Sequence, residues 1–376
     1  MARKYTIDDI AQLAGVSKAT VSRVLNNKPD VDPSTRARIH QIMQEVSFVP
    51  SITASGLAGG RNRLVGVLIP SFSWSFVGEI MRGVSEMIGH TPYELLVYSI
   101  NDMARDNDKG DILDHILSTK LPAGLLAILP GHSAPYVERL HTHGFPVVMV
   151  DDTAHHPNMP WVNVDSVHGS YLAVKHLIEL GHRRIAHIYG PQNFICAHER
   201  YQGYCQALEE AGIALDPLLV AQGNFEYHGA LDAAHQLLSL PAEVRPTALF
   251  ASTDLTAYAV IDVADSYGLR VPGDLAVVGF DDIESSARIR PALTTVRQPF
   301  AEIGKCGVEL LLALLNTPVQ RADSSLLALS LPVLTPSEGM VRPPHISLQT
   351  TLVVRASCGA QRQQQSVDEI IPSKVL

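Results

Sequence analysis

Residues 17–26, SKATVSRVLN, set a lysine and an arginine five positions apart among small and hydroxyl-bearing side chains. A guanidinium such as that of Arg23 pairs bidentately with guanine O6 and N7. Lys18 has the reach for a base or a phosphate, and Ala19 offers only a methyl, which suits the methyl of thymine. The chemistry open to this stretch is contact with a polynucleotide. Bond-making chemistry is harder to find. Gly131-His132-Ser133-Ala134 lacks the second glycine of a nucleophile elbow, and neither GxxxxGK[ST] nor a GxGxxG after a strand occurs. His141 and His143, and the adjacent His155 and His156, are the only close histidine pairs, whereas a metal site needs three or four ligands. They read as surface histidines near turns. No catalytic residue, metal or cofactor is expected, and the chain reads as a non-enzyme.

The elements that must carry Lys18 and Arg23 are short helices. Thr6, with Asp9 three positions on, makes a capping-box pattern for a first helix whose Ile7, Ile10, Ala11 and Ala14 recur at helical spacing. Gly15-Val16-Ser17 is a tight turn. Ser17 caps a second helix, Lys18 to about Leu25, with Val21, Val24 and Leu25 inward. Asn26-Asn27-Lys28-Pro29 breaks the chain, and Asp32-Pro33 opens a third helix with Ile39, Ile42, Met43 and Val46 on its buried side. Helix, turn and capped helix in this order form a helix-turn-helix. Its second helix fits a major groove, and its amino-terminal amides face phosphate.

The composition agrees with such a head on a larger body. The 376 residues suffice for two or three domains, and 46% hydrophobic with 18% charged residues is globular usage. A net charge of −9 argues against a polyanion partner for the chain as a whole, but residues 1–61 carry +3 and the remainder −12. Cys196, Cys205, Cys306 and Cys358 are scattered without a CxxC, which suits a reducing cytoplasm better than a disulfide framework or a structural zinc. MARKYTIDDIAQLAG has no apolar secretory core, and no apolar run reaches about 18 residues, so neither export nor a membrane span is expected.

After a small, polar, glycine-bearing stretch that ends near residue 62, strands alternate with helical stretches. The strands are expected at Leu64–Ile69, Leu95–Ser99, Leu125–Leu129, Val147–Val150, Arg184–Tyr189, Ala248–Ala251 and Ala276–Phe280. Several are continuous apolar runs, as parallel strands buried on both faces require. Helices such as Ser170–Leu180 and Gly229–Leu240 separate most of them, so two doubly wound sheets in series fit the length. Residues 319–343 read as a loop and the QRQQQ tail as disordered.

IDDIAQLAGVSKATVSRVLNN, VDPSTRARI, GVLIP, HLIELGHRRIAHIYG, ERYQGY, LRVPGDLAVVGFDD, LTTVRQP and TLVVRASC together closely resemble the LacI/GalR repressor family, to about Cys358. The resemblance implies a small all-α helix-turn-helix head (1–47), a hinge (48–62) and an α/β core (63–358) similar to periplasmic sugar-binding proteins. The core would have two doubly wound parallel-sheet lobes, about 63–163 plus 294–320 and about 164–293 plus 344–358, with residues 359–376 as a tail. It also implies residue roles. Lys18 and Ala19 match the positions that choose the operator, and Arg23 matches a guanine-contacting arginine. Thr6, Ser17, Thr20, Ser22 and Asn26 match backbone- or base-contacting positions, and Leu57 matches a leucine wedged into the minor groove. In the core, Arg200 and Asp281 match groups that grip a sugar, Asp151 sits likewise after its strand, and Phe225 matches an aromatic stacked on a sugar face. Phe76, Cys196, Thr253 and Gln298 fall at neighbouring pocket positions.

The chain departs from the family in places. Ser51 stands where the family has asparagine, and Gly56, Gly59 and Gly60 each disfavour hinge helix by about 1 kcal/mol. Ser71 to Val77 replaces Asp-x-x-Asn-Pro-Phe-Phe, and Trp74 there is either a second plate or a plug at the pocket mouth. The implied function is a cytoplasmic, ligand-responsive repressor of carbohydrate-use genes. Its partners would be palindromic operator DNA, a small sugar or sugar derivative, and a second copy of the chain. The apolar stripe Val77, Ile80, Met81, Val84 and Ile88 is either core or dimer surface. The competing reading, a sugar-binding receptor of a transport system, lacks a secretory segment and leaves the helix-turn-helix without a purpose.

Overall fold

The structure, a computed structural model, describes residues 5–25, 28–48, 63–100, 116, 121–129, 133–150, 158–315 and 343–360. The chain divides into two compact units, residues 1–63 and 64–376.

The small unit holds α1 (Ile7–Ala14), α2 (Lys18–Leu25) and α3 (Pro33–Glu45). The capping box at α1 is complete: Asp9 N donates to Thr6 Oγ1 at 3.3 Å, and Thr6 N donates to Asp9 Oδ2 at 2.8 Å. Thr20 N donates to Ser17 Oγ at 3.2 Å, which caps α2. Asp32 accepts from Ser34 N and Thr35 N at the start of α3. Ile10, Ala11, Ala14, Val21, Val24, Ile39 and Met43 form the buried core, while Ile7, Leu25, Ile42 and Val46 pack around it half-buried.

The large unit contains two six-stranded sheets. In order across the first lie β11 (His345–Leu348), β5 (Trp161–Val164), β4 (Val147–Val150), β3 (Gly124–Ile128), β1 (Leu64–Ile69) and β2 (Glu94–Ser99), all parallel. The second runs β12 (Thr351–Val353), β10 (Thr294–Arg297), β9 (Ala276–Asp281), β8 (Ala248–Ala251), β6 (Ile185–Tyr189) and β7 (Val220–Gln222), and only the β10–β12 pair is antiparallel. Strands β1, β3, β4, β8 and β9 are buried at every residue, because helices cover both faces.

The chain passes between the sheets three times: between β5 and α6 (Ser166–Glu179), between β10 and α10 (Phe300–Leu314), and between β11 and β12. This displaces the lobe boundaries expected from the sequence. Residues 294–297 lie in the second sheet, with Thr294 beside Val278, and residues 345–348 lie in the first, with His345 beside Trp161. The β-branched run Thr294-Thr295-Val296 marks a strand but not its partner, and a buried bond from Thr295 to Asp254 holds it beside β9. The short strands Trp161–Val164 and Val220–Gln222 have too few residues for alternation to reveal them.

Val77, Ile80, Val84 and Ile88 of α4 (Val77–Ile88) are buried in the first lobe's core with Ile303 and Val308 of α10. The stripe that could have faced a second copy is therefore spent inside its own lobe, and Met81 is only half-buried. The two helices cross so closely that a Cβ on Gly83 would stand 1.9 Å from the Ala301 carbonyl oxygen, so only glycine fits. Among the described residues, no helix is long and apolar enough to cross a membrane.

Candidate functional site

In the head, burial of Val21 and Val24 turns the opposite face of α2 outward. Ser17, Lys18, Ala19 and Arg23 are exposed on that face, with Thr20 and Ser22 half-buried beside them, and Thr6 is exposed at the start of α1. Lys18 Nζ pairs with Asp8 at 2.9 Å and Arg23 Nη1 with Asp30 at 3.4 Å, all four side chains being more than half exposed. Exposed pairs contribute about 0–1 kcal/mol, so both cations can exchange a carboxylate for a phosphate or base edge at little cost. Asn26 and Leu57 lie outside the described residues.

In the large unit, loops at the carboxyl ends of both sheets surround a cavity of about 290 Å³. This is where doubly wound sheets leave a crevice, because the connections diverge to opposite faces there. Seven of the residues expected at a ligand, Phe76, Cys196, Arg200, Phe225, Thr253, Asp281 and Gln298, all line it. Asp151 lies outside the described residues. Trp74, Leu129, Leu255, Glu226 and Phe300 line it too. Only Trp74 stands out in the sequence; Phe300 follows Gln298-Pro299 across a lobe crossing, and nothing in its local pattern points to a site.

The backbone is strained around this cavity. Leu129, Phe225 and Asp281 have φ of +42°, +69° and +125°, conformations that cost a non-glycine residue about 1–3 kcal/mol each. Phe225 lies where a Cβ on Gly190 would come within 1.9 Å of its ring, so that glycine makes room for the aromatic plate. Asp282, at φ +56°, is pinned by Arg297 Nε and Arg355 Nη2, each at 2.6 Å. Beneath it, the buried Asp254 carboxylate accepts from Ile283 N, Ser286 Oγ and Thr295 Oγ1. Asp254, which no local motif marks, fixes the segment that carries Asp281.

Arg200 and Asp281 are both buried, and Arg200 Nη2 stands 3.8 Å from Asp281 Oδ1, close enough for attraction but not for a hydrogen bond. Arg200 Nη1 donates to the Ser252 carbonyl, and the guanidinium lies 3.9 Å from the centre of the Phe280 ring. Gln298 Nε2 donates to Asp281 Oδ1 at 2.7 Å. Burial raises the Asp281 carboxyl above the usual range, with the Arg200 charge opposing. Burial also raises Asp254, and the neighbouring Asp281 charge adds to this. Arg200 Nε and Gln298 Oε1 are buried without a hydrogen-bond partner. Both atoms are closed off from solvent, so their lost hydrogen bonds are a cost carried by the fold. His141 and His143 bond to backbone carbonyls of Asn158 and Arg139, and His155 and His156 lie outside the described residues.

Two family models match the chain: that of bacterial regulatory proteins of the lacI family over residues 6–51, and that of a periplasmic binding protein-like domain over residues 174–358. The HTH-type transcriptional repressor CytR of Escherichia coli (strain K12) is 35% identical over 82% of this chain and 89% of its own length. Catabolite control protein A of Priestia megaterium is 33% identical over 86% and 96%. Among solved structures, the Lac repressor dimer bound to operator and the anti-inducer ONPF is similar with a TM-score of 0.77 and 26% identity, covering 95% of this chain and 99% of that one. A complex of the transcriptional regulator CelR with cellobiose has a TM-score of 0.68 and 29% identity, covering 94% and 99%. An exposed recognition helix, two doubly wound sheets around a cavity, and relatives of this identity over nearly the whole length lead to one conclusion: the chain belongs to the LacI family of bacterial regulatory proteins, helix-turn-helix regulators of transcription.

Proposed function

We propose that the chain is a cytoplasmic repressor of carbohydrate-use genes whose operator affinity is controlled by a small sugar-like effector held in the cavity. The carrying observation is the convergence of Arg200, from the helix Ile195–Glu210, with Phe225, Asp281 and Gln298, from the carboxyl ends of three separate strands, on one cavity. A polyol needs paired donors and acceptors beside an apolar plate, and these residues supply both. The CelR complex holds cellobiose and the Lac repressor holds ONPF, which supports the same use of this cavity.

In this reading the exposed face of α2 reads a half-site, Arg23 meets a guanine, and a homodimer doubles the contact on a palindrome. The hinge, residues 48–62, orders on operator DNA, and Leu57 unstacks a central base step. Sedimentation at micromolar concentration, with and without operator, is expected to give a dimer; a stable monomer would remove that part.

The test of the effector site is Asp281→Ala. Removing a buried partner of Arg200 and Gln298 costs on the order of 2–5 kcal/mol of effector binding, because the opposing groups stay unpaired. Gel shifts on a promoter fragment are expected to show intact operator binding that sugars no longer modulate. Full sugar affinity of Asp281→Ala in calorimetry would mean that the cavity is not the effector site.

A further inference from the structure

The helix that carries Arg200, α7 (Ile195–Glu210), borders a second cavity, of about 260 Å³. Cys196 and Arg200 line the cavity described above, while Ala197, His198 and Tyr201 line the second. One residue is about 100° of rotation, so adjacent faces of the same two turns serve two cavities. Gly190 parts them on the strand side. It lines the second cavity, and the Phe225 ring, which lines the first, fills the place a Cβ on Gly190 would take. The two cavities share no lining residue.

Tyr189, at the end of β6, and Tyr201 make a corner of this second cavity, with ring centres 6.1 Å apart and planes tilted by 50°. Tyr201 is held by stacking on His187 and Tyr204, each at 6.0 Å, and His187 stacks in turn on Phe250 at 4.9 Å. Val220 of β7, Ala197 and Gly190 add apolar surface. The polar groups are the two phenol hydroxyls, Gln192 and His198. His198 Nε2 donates to the Gln192 carbonyl at 2.8 Å, which in a neutral ring leaves Nδ1 as an acceptor. Gln192 is exposed and its side-chain amide bonds to none of the described residues, so a donor and an acceptor stand side by side. No Lys, Arg, Asp or Glu is among the lining residues. Drug-sized ligands take pockets of ~300–1,000 Å³, so this smaller one suits a single compact ring system.

We infer that this cavity is a second ligand site, separate from the effector cavity, for a small uncharged planar heterocycle with a donor and an acceptor on one edge. Its face lies on one tyrosine ring and its rim meets the other, the arrangement that aromatic rings prefer. Its polar edge pairs with the Gln192 amide, as a carboxamide pairs bidentately with N6 and N7 of adenine. A charged ligand would leave water without finding a counter-ion. A sugar, with a hydroxyl on nearly every carbon, would bring more polar groups than Gln192, His198 and two phenols can meet. Nucleobases and nicotinamide share the chemistry that fits.

Calorimetry on the full-length protein with adenine, nicotinamide and glucose tests this. Adenine or nicotinamide is expected to bind, and the tighter of the two names the source. Tyr201→Ala is expected to weaken that probe about tenfold or more, and Tyr201→Phe, which keeps the ring, to retain most of the affinity. Because Tyr201 also packs on His187 and Tyr204, the exposed Gln192→Ala serves as the second variant, with an expected loss of about fivefold. The inference is overturned if neither heterocycle binds, or if Tyr201→Ala and Gln192→Ala both leave the affinity unchanged. Loss of the probe in Asp281→Ala with full retention in Gln192→Ala would overturn it as well, by placing the probe in the effector cavity. Glucose bound more tightly than either heterocycle, and weakened by Tyr201→Ala, would overturn the planar class of ligand.

Discussion

The head and the cavity hold their candidate contact residues in opposite surroundings. Ser17, Lys18, Ala19 and Arg23 stand in water on one short stretch of helix, while Arg200, Asp281 and Gln298 are buried and come from one helix and two strand ends far apart in the chain. Both regions hold ion pairs, but Lys18–Asp8 is screened by solvent, whereas the Arg200 and Asp281 side chains are 4% and 9% exposed. The cost of losing a partner follows from that difference. A solvated charge reverts to water, while a buried one is left stranded. Substitutions of the solvated charges on α2 should therefore change recognition and spare stability, and substitutions of the buried charges in the cavity should change both.

The widest test of this contrast is Arg200→Ala. It leaves the Asp281 carboxylate buried without its cation and opens a gap against Phe280, so the core should lose about 3–5 kcal/mol in urea unfolding. A loss below about 1 kcal/mol would show that the cavity tolerates charge changes as the surface does.

A pH test comes next. Burial pushes His187 down from 6.5 to about 4, and its ring stacks on Phe250 and Tyr204. The folded chain therefore refuses a proton that the unfolded chain takes up near pH 6.5, so stability falls as pH drops from about 6.5 toward 4. The loss reaches about 3 kcal/mol. The raised carboxyls Asp254 and Asp281 act in the opposite sense, since the folded chain holds their protons more tightly. The His187 contribution is accordingly read as the difference between the wild type and His187→Phe, measured by denaturant unfolding at pH 7 and 4.5. Parallel pH slopes for the two proteins would remove it.

Arg23→Ala sharpens the other side of the comparison. It should cost about 1–3 kcal/mol of operator affinity and relax preference at one base pair per half-site, with the unfolding transition unmoved. Equal losses on operator and random DNA would make Arg23 a phosphate contact. The smallest effect is expected for Thr6→Ala, which removes the capping box of α1. It should destabilise the head by about 1 kcal/mol, visible as faster hydrogen exchange at Ile10 and Ala11 while the core amides keep their rates.

The two regions also differ in how far their sequence could be read. Thr6, Ser17 and Asp32 are caps whose partners lie two or three residues away, so each helix start of the head follows from local pattern. In the core, the continuous apolar runs identified the buried strands, and the family resemblance brought Phe76, Cys196, Arg200, Phe225, Thr253, Asp281 and Gln298 to what proves to be one cavity. Asp254 carries no local signal because its three donors lie 29, 32 and 41 residues away. The stripe on α4 was ambiguous for a similar reason, since periodicity marks an apolar face without saying what covers it.

The sequence by itself determined the helices of the head, the outward face of α2, the buried character of the central strands and the doubly wound class. All of these depend on interactions within a turn or a strand, or on how much surface must leave water. Only the tertiary structure decided that Thr294–Arg297 joins the second sheet and His345–Leu348 the first, that Gly83 lets α10 settle against α4, and that Trp74 packs against Phe76 and Phe194. Those outcomes depend on which distant segments meet. A β-branched run or a lone tryptophan carries no record of its partner, because strand pairing and ring packing are settled by shape and burial across the whole core.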